Sequence, residues 1–247
     1  MQQIFIDQQV VLQQQLTITG EDARHLSQVL RMHPGERVRL STHEGDNFLC
    51  EIQSLDKQEV VLRVMEETMS TELTQRIYLF QAIPKGDRME TVIEKAVELG
   101  VYEVIPVEMK YCVVKLDDKK KASRLKRYQA IAEAAAKQSK RSRIPKIHPV
   151  MTFAEAVDYA MQCDVCLVPY ECKRGMVATK EALHKIQPNS AISIMIGPEG
   201  GFDATEIARV EPDMDVISLG SRILRTDTAA ITAMSMVMLA CSMQESD

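Results

Sequence analysis

The sequence predicts an α/β protein in two parts: a small β-barrel-like module over residues 1–70 and a larger domain with a mostly parallel sheet over residues 71–247. Three observations predict it. A chain of 247 residues suits two cores of ordinary size better than one. The first 70 or so residues read as short strands broken by turn residues, and from Arg76 onward strand and helix patterns alternate.

In the first part, strands are predicted at Gln2–Ile6, Gln15–Thr19, Arg37–Thr42, Asn47–Leu55 and Glu59–Glu66, with turns at Gly45 and at Asp56 and Lys57. One helix interrupts them. It starts at Gly20, draws an apolar stripe from Leu26, Val29 and Leu30, and ends before Pro34 and Gly35. Polar residues from Glu66 to Gln75 read as a linker. The second part offers strands at Ile77–Ile83, Glu103–Val107, Val165–Pro169, Ile192–Ile196 and Asp215–Leu219. Its helices are Met89–Leu99, Ser123–Ser139, Ala154–Met161, Thr179–Ile186, Thr205–Val210 and Thr228–Met243. A parallel sheet covered by helices on both faces is the arrangement such alternation implies.

Apolar residues make up 45% and charged residues 26%, the balance of a soluble globular protein, which excludes large-scale disorder. The most apolar stretch, Thr228–Met243, contains Thr232, Ser235 and Ser242 and is shorter than the ~20 residues a membrane span needs, so it reads as a buried helix. The N-terminus has no basic segment leading into an apolar run, and a cytoplasmic location is expected. Six scattered cysteines read as reduced thiols. Cys163 and Cys166 have metal-pair spacing, but they open an apolar strand and lack a second pair, so no metal is expected.

The net charge of −5 argues against nucleic acid, and its distribution argues for it. From Lys110 to Lys146 there are thirteen Lys and Arg against three acids, a local +10 that leaves −15 for the rest of the chain. Concentrating positive charge on one element is what phosphate binders do.

The most informative segment is the apolar run Ala191–Ile196 entering Gly197-Pro-Glu-Gly-Gly-Phe202 and then a helix start where Asp203 and Glu206 have capping-box spacing. Three glycines in five residues let a ligand approach the backbone amides, and ligands of open parallel sheets sit at the carboxyl ends of strands. Neither GxGxxG nor GxxxxGK[ST] occurs, which argues against a Rossmann dinucleotide site and a P-loop. A second strand, loop and helix start follows, Ser218-Leu-Gly-Ser-Arg-Ile-Leu-Arg-Thr-Asp-Thr-Ala229.

Taken in order, these two segments resemble the paired signature of SPOUT methyltransferases, in particular the RsmE-type family that methylates N3 of a uridine in 16S ribosomal RNA of the small subunit. The stretch from Gln81 to Glu90, then Glu94-Lys95-Ala96 and Glu98-Leu-Gly-Val101, is similar to that family's first strand and helix. Ala23–Arg31 is similar to the helix of its PUA-like domain. Two departures stand out: Asp227 replaces a usual Glu, and Lys137 and Lys140 stand where Glu and Gly are expected.

The resemblance implies a SPOUT α/β domain with a deep trefoil knot, against the general rule that chains do not thread, and a PUA-like RNA-binding domain before it. It implies S-adenosyl-L-methionine as cofactor, bent against loops that map onto Val168, Pro169, Ile196, Gly197, Gly200, Gly201, Leu219, Gly220, Ile223, Leu224 and Thr228. Removing the uridine N3 proton leaves negative charge that a fixed guanidinium can stabilise. Arg225 is the candidate for that role, with Arg222 second, and Glu199 is the candidate carboxylate for the proton. Arginine itself cannot be the base. Candidate RNA contacts are Arg24 and Arg31, seven apart on one helix face, with Lys85, Arg88, Arg141 and Arg143. A homodimer through the methionine-rich last helix is expected. Competing readings are another SPOUT reaction, at a ribose 2′-oxygen or guanine N1, and a catalytically silent RNA-binding factor.

Overall fold

The computed structural model describes residues 1–42 and 45–244, which divide into two compact units. The first comprises Met1–Glu72 together with Ala136–Ile144. Its five strands, β1 (Gln2–Ile6), β2 (Gln15–Thr19), β3 (Arg37–Thr42), β4 (Asn47–Leu55) and β5 (Glu59–Thr68), form one sheet in the order β1-β3-β4-β5-β2. The β1–β3 pair is parallel and the others are antiparallel. Alternation sets the face: Leu16 and Ile18 of β2 join Val38, Leu40, Ile52, Val60 and Leu62 in the core. Strand β5 runs to Thr68, into the segment expected to be linker.

The predicted helix of this unit is shorter than expected. Helix α1 (Gly20–Arg24) passes into a single π-helical turn, His25–Val29, in which the Leu30 amide donates to the His25 carbonyl at 2.9 Å. The wider turn rotates the register, so Ala23 and Leu26 are buried while Val29 and Leu30 are exposed. Arg31 follows at φ 53, outside the helix. Arg24 and Arg31 therefore do not share a helix face, and both are exposed.

A polar web ties Ala136–Ile144 into this unit. Gln3 Nε2 donates to the Arg141 carbonyl at 2.6 Å, Asn47 Nδ2 to Ser142 Oγ at 2.8 Å, and the Ser142 amide to Glu72 at 2.8 Å. The Arg141 guanidinium is buried and grips the Glu72 carboxylate, its Nε at 2.9 and 3.1 Å from the two oxygens. Its charge is spent inside the unit, which corrects the expectation that Arg141 contacts RNA. Arg143 is half-buried. Lys140 stands at φ 61. That left-handed backbone explains the glycine expected there, because a side chain in this region costs roughly 1–2 kcal/mol. Lys137 pairs with Asp22 at 3.3 Å.

The second unit comprises Leu73–Ala135 and the described chain from Pro145 onward. Its strands are β6 (Arg76–Ala82), β7 (Val101–Glu108), β8 (Lys146–Ile147), β9 (Met151–Thr152), β10 (Val165–Pro169), β11 (Ala191–Ile196) and β12 (Asp215–Ile217). Its helices are α2 (Arg88–Glu98), α3 (Asp118–Ser139), α4 (Phe153–Ala160), α5 (Val177–His184), α6 (Ala204–Val210) and α7 (Thr226–Ser242), the last residues of α3 belonging to the first unit. The strand order is β12-β10-β11-β6-β7-β8, with β9 also on β7, and every pair is parallel. Residues of β10 and β11 are buried throughout, as strands covered on both faces must be.

The chain leaves β6 for β7 on one side and later fills the other side with β11. The order therefore reverses between β6 and β11, and ligand crevices form at such a reversal, outside the carboxyl ends of the strands. Among the described residues, no helix is long and apolar enough to cross a membrane.

Candidate functional site

Three adjacent strands, β12, β10 and β11, deliver their carboxyl ends to one cavity of about 440 Å³. It is lined by the start of the loop after β10 (Pro169–Glu171, with Arg174), the glycine loop after β11 (Ile196–Phe202), the loop after β12 (Leu219, Gly220, Arg222–Arg225) and the first turn of α7. This volume is in the range that takes a molecule of cofactor size.

The glycine loop is shaped by contacts that side chains would break. A Cβ on Gly197 would lie 2.9 Å from the Phe202 ring, and one on Gly200 would lie 3.0 Å from Tyr111 Cβ. Gly201 has φ 71, and a Cβ there would strike the Glu171 carboxylate. Helix α6 then starts with the capping box that the sequence predicts: Asp203 accepts from the Thr205 amide, and Glu206 from the Asp203 amide at 2.9 Å.

The same two acids reach the segment after β7. Asp203 accepts from Lys110 Nζ and from the Tyr111 hydroxyl, both at 2.8 Å, and Glu206 accepts from the Lys110 amide at 2.9 Å. The Lys110 ammonium first, then the Thr205 and Tyr111 donors, hold the Asp203 carboxyl far below the usual carboxylate range. A second carboxylate ties the glycine loop to the segment after β6: Glu199 Oε1 accepts from Arg88 Nη1 at 2.8 Å and from the Lys85 amide at 3.0 Å.

A third tie joins the start of α7 to the glycine loop and to β6. Thr226 Oγ1 donates to the Gly197 carbonyl at 2.8 Å and accepts from Gln81 Nε2 at 2.9 Å, Gln81 being fully buried at the end of β6. Arg225, immediately before Thr226, is the N-cap residue of α7. Its exposed guanidinium lines the cavity together with that of Arg222. A helix N-terminus and an arginine cation on one wall favour negative charge there.

Nine of the residues singled out for the cofactor line the cavity: Pro169, Ile196, Gly197, Gly200, Gly201, Leu219, Gly220, Ile223 and Leu224. Two do not. Val168 is fully buried in the sheet core, one residue short of the cavity, because alternation along β10 turns it away. Thr228 is exposed on α7, where the helical turn brings Thr226 and Ala229 to the wall instead. Neither side chain forms part of the cavity wall.

Glu199 lines the cavity, but two donors occupy one of its oxygens, and in this geometry it holds two loops together. Arg88 is the ion partner of Glu199, while the Lys85 side chain is exposed. Sequence reasoning missed Thr226, Glu171 and Arg174 as lining residues. Their presence at the wall depends on the chain returning across three strands, which no local pattern reports.

Cys163 is partly buried and Cys166 is buried. Burial pushes the Cys163 thiol up to about 12 and raises that of Cys166, whose Sγ donates to the Ala160 carbonyl at 3.1 Å.

The chain is similar to known RNA methyltransferases. A profile of the RNA methyltransferase domain matches residues 71–238, and one of the RNA methyltransferase PUA domain matches residues 18–65. The chain is 37% identical to ribosomal RNA small subunit methyltransferase E of Bacillus subtilis, covering 96% of each protein. It is 34% identical to the protein of the same name from Mesomycoplasma hyopneumoniae, over 76% of this chain and 83% of that one. The crystal structure of ribosomal RNA small subunit methyltransferase E from Neisseria gonorrhoeae, bound to S-adenosyl methionine, matches with a TM-score of 0.84 at 29% identity, covering 97% of each chain.

Proposed function

The chain belongs to the family of ribosomal RNA small subunit methyltransferase E, and from that premise we propose that it methylates N3 of a uridine in 16S ribosomal RNA. It is an S-adenosylmethionine-dependent methyltransferase of small-subunit rRNA with an N-terminal PUA domain. The observation that carries the finer reading is the single cavity in which Gly197–Gly201, Leu219–Leu224 and the Arg225 guanidinium meet.

The residues present fit the cofactor. Backbone groups of the glycine loop are open to hydrogen bonding because Gly197, Gly200 and Gly201 carry no side chain, and Leu219, Ile223 and Leu224 offer apolar surface for a flat ring. When bound, S-adenosylmethionine supplies the activated methyl group. The protein's own task is positioning and charge. Thr226 fixes the start of α7 against Gly197, and Arg225 then presents its guanidinium to the negative charge that spreads over N3 and the flanking carbonyl oxygens once the proton leaves. Arg222 is the second cation on that wall. Glu199 is the candidate carboxylate to receive the proton, which requires the Arg88 and Lys85 contacts to open; as placed, it orients the loops.

Three further features belong to this reading. The chain passes from β12, at the sheet edge, back across the ends of β10 and β11 to reach Gly197 and Gln81, a path that supports a threaded, trefoil-knotted C-terminus. Leu239 on α7 and Met243 just after it are exposed, which supports a homodimer through this helix. Arg24, Arg31 and Lys85 are exposed cations that could meet phosphate, a contact that sets position without reading sequence.

The test is mass spectrometry of digested 16S rRNA from cells lacking the gene. Loss of one N3-methyluridine, restored by the purified protein, is the expected result. Loss of a ribose or guanine methyl instead would reassign the reaction.

A further inference from the structure

We infer that Glu171, on the loop leaving β10, accepts a hydrogen bond from a donor group of the cofactor, either the ribose hydroxyls or the α-ammonium of its methionine end. The inference rests on the reading of the cavity as the cofactor pocket. Among the described residues only two carboxylates line that cavity, Glu171 and Glu199. Glu199 is already the acceptor of Arg88 and of the Lys85 amide. Glu171 makes no hydrogen bond or ion pair among the described residues, although Arg174, Arg222 and Arg225 line the same cavity.

Its position is fixed by shape. A Cβ on Gly201 would collide with Glu171 Oε1, so the bare glycine makes the room in which the carboxylate stands. Gly201 is thereby required twice, for its φ of 71 and for this contact.

An adenosyl sulfonium amino acid brings hydroxyl and ammonium donors into a wall of aliphatic side chains, backbone and arginines. Arginine accepts no hydrogen bond, and backbone carbonyls carry no net charge. Glu171 is the wall's uncommitted anionic acceptor, and a charge-assisted hydrogen bond is about twice as strong as a neutral one. Glu171 follows β10, whereas Glu199 and its partners Lys85 and Arg88 join β11 to β6 on the other side of the crevice. That separation assigns Glu171 to the cofactor.

The experiment is titration calorimetry of S-adenosylmethionine, S-adenosylhomocysteine and 5′-methylthioadenosine with the full-length protein, Glu171→Ala and Glu171→Gln. Because Glu171 is exposed, the variants should melt like the parent without ligand. Glu171→Ala is expected to lose on the order of ten- to a hundredfold in affinity for the first two ligands, with Glu171→Gln between. An equal loss for methylthioadenosine, which lacks the amino-acid end, assigns the ribose; unchanged methylthioadenosine binding assigns the ammonium. Unchanged affinity for all three overturns the inference, and so does a loss of turnover without a loss of binding, which would place Glu171 on the RNA side. Failure of the parent protein to bind S-adenosylmethionine would overturn the pocket reading itself.

Discussion

The loop after β11 is held at nearly every residue, whereas the loop after β12 is held at its root and bare at its tip. In the first, Gly197 packs on Phe202, Glu199 is tied to Arg88, Gly200 packs on Tyr111, and Asp203 and Glu206 fasten the exit to Lys110 and Tyr111. In the second, Ser218 is anchored to Thr179 at 2.8 and 3.1 Å, but from Ser221 to Arg225 no side chain makes a hydrogen bond or ion pair among the described residues. Ile223 at the tip is 86% exposed. A braced wall loses little freedom when a ligand arrives, while an open one is ordered at that moment and contributes only what the bound ligand covers. On the reading proposed above, one loop defines the pocket and the other completes it with its guest.

The largest expected effect tests the open side. Arg225→Ala should lower turnover on the order of 10²–10³-fold, the usual loss when a group aimed at developing charge is removed. Cofactor affinity measured by calorimetry should stay within a factor of about three, equivalent to ~0.6 kcal/mol. A parallel collapse of affinity would make Arg225 part of the cofactor cradle, and the division of labour between the loops would fail.

On the braced side, Gly197→Ala forces a methyl group against the Phe202 ring at 2.9 Å. Overpacking of that kind costs about 1–3 kcal/mol, which in a protein of this size lowers the melting temperature by roughly 2–4 °C per kcal/mol. Gly220→Ala meets open space at φ 111 and bears backbone strain alone. Differential scanning fluorimetry should rank Gly197→Ala as the more damaging. Equal melting temperatures would mean that Phe202 yields and the first loop is not rigid.

The contrast between the loops also marks what could be read from sequence. Strands β1 to β4 match their predicted bounds because alternating or continuous apolar runs between turn residues are local signals. The two-residue strands β8 and β9 were missed, since pairing alone defines them. The glycine loop was legible because three glycines in five residues are rare outside a ligand cradle. Thr226 and Glu171 were not: Thr226 is held at the wall by Gln81, 145 residues away, and the room for the Glu171 carboxylate is left by the bare Gly201, distant in sequence. Arg141 was misjudged for the same reason: its partner Glu72 lies 69 residues away.

Acid should weaken the brace before it touches the open loop. The folded Asp203 carboxyl is depressed, so its stabilisation is fully present above the unfolded value of about 3.9 and is lost as pH falls from there toward the folded value. Asp203→Asn removes this dependence. At pH 6 the variant should melt below the parent, and between pH 4.5 and pH 3 the gap should narrow, each assay pH being roughly set by that carboxyl value. A constant gap across this range would mean that Asp203 stabilises through its capping geometry and not through its charge with Lys110.

The smallest effect on stability is expected at Ile223, and it separates the two loops most cleanly. A side chain 86% exposed contributes almost nothing to the core, so Ile223→Ser should leave the unliganded melting temperature unchanged, within about ±0.5 kcal/mol of the parent's stability. If the open loop closes on the adenine ring, the same substitution removes apolar area that only the complex buries, at roughly 25 cal/mol per Å². Affinity for S-adenosylmethionine should then fall several-fold, by up to about 1–2 kcal/mol for a fully covered isoleucine. The melting shift on adding cofactor should shrink accordingly, because it scales with the logarithm of ligand over Kd. Unchanged affinity with an unchanged melting temperature would leave Ile223 bare in the complex as well, and the completed wall would have to come from RNA or a second subunit.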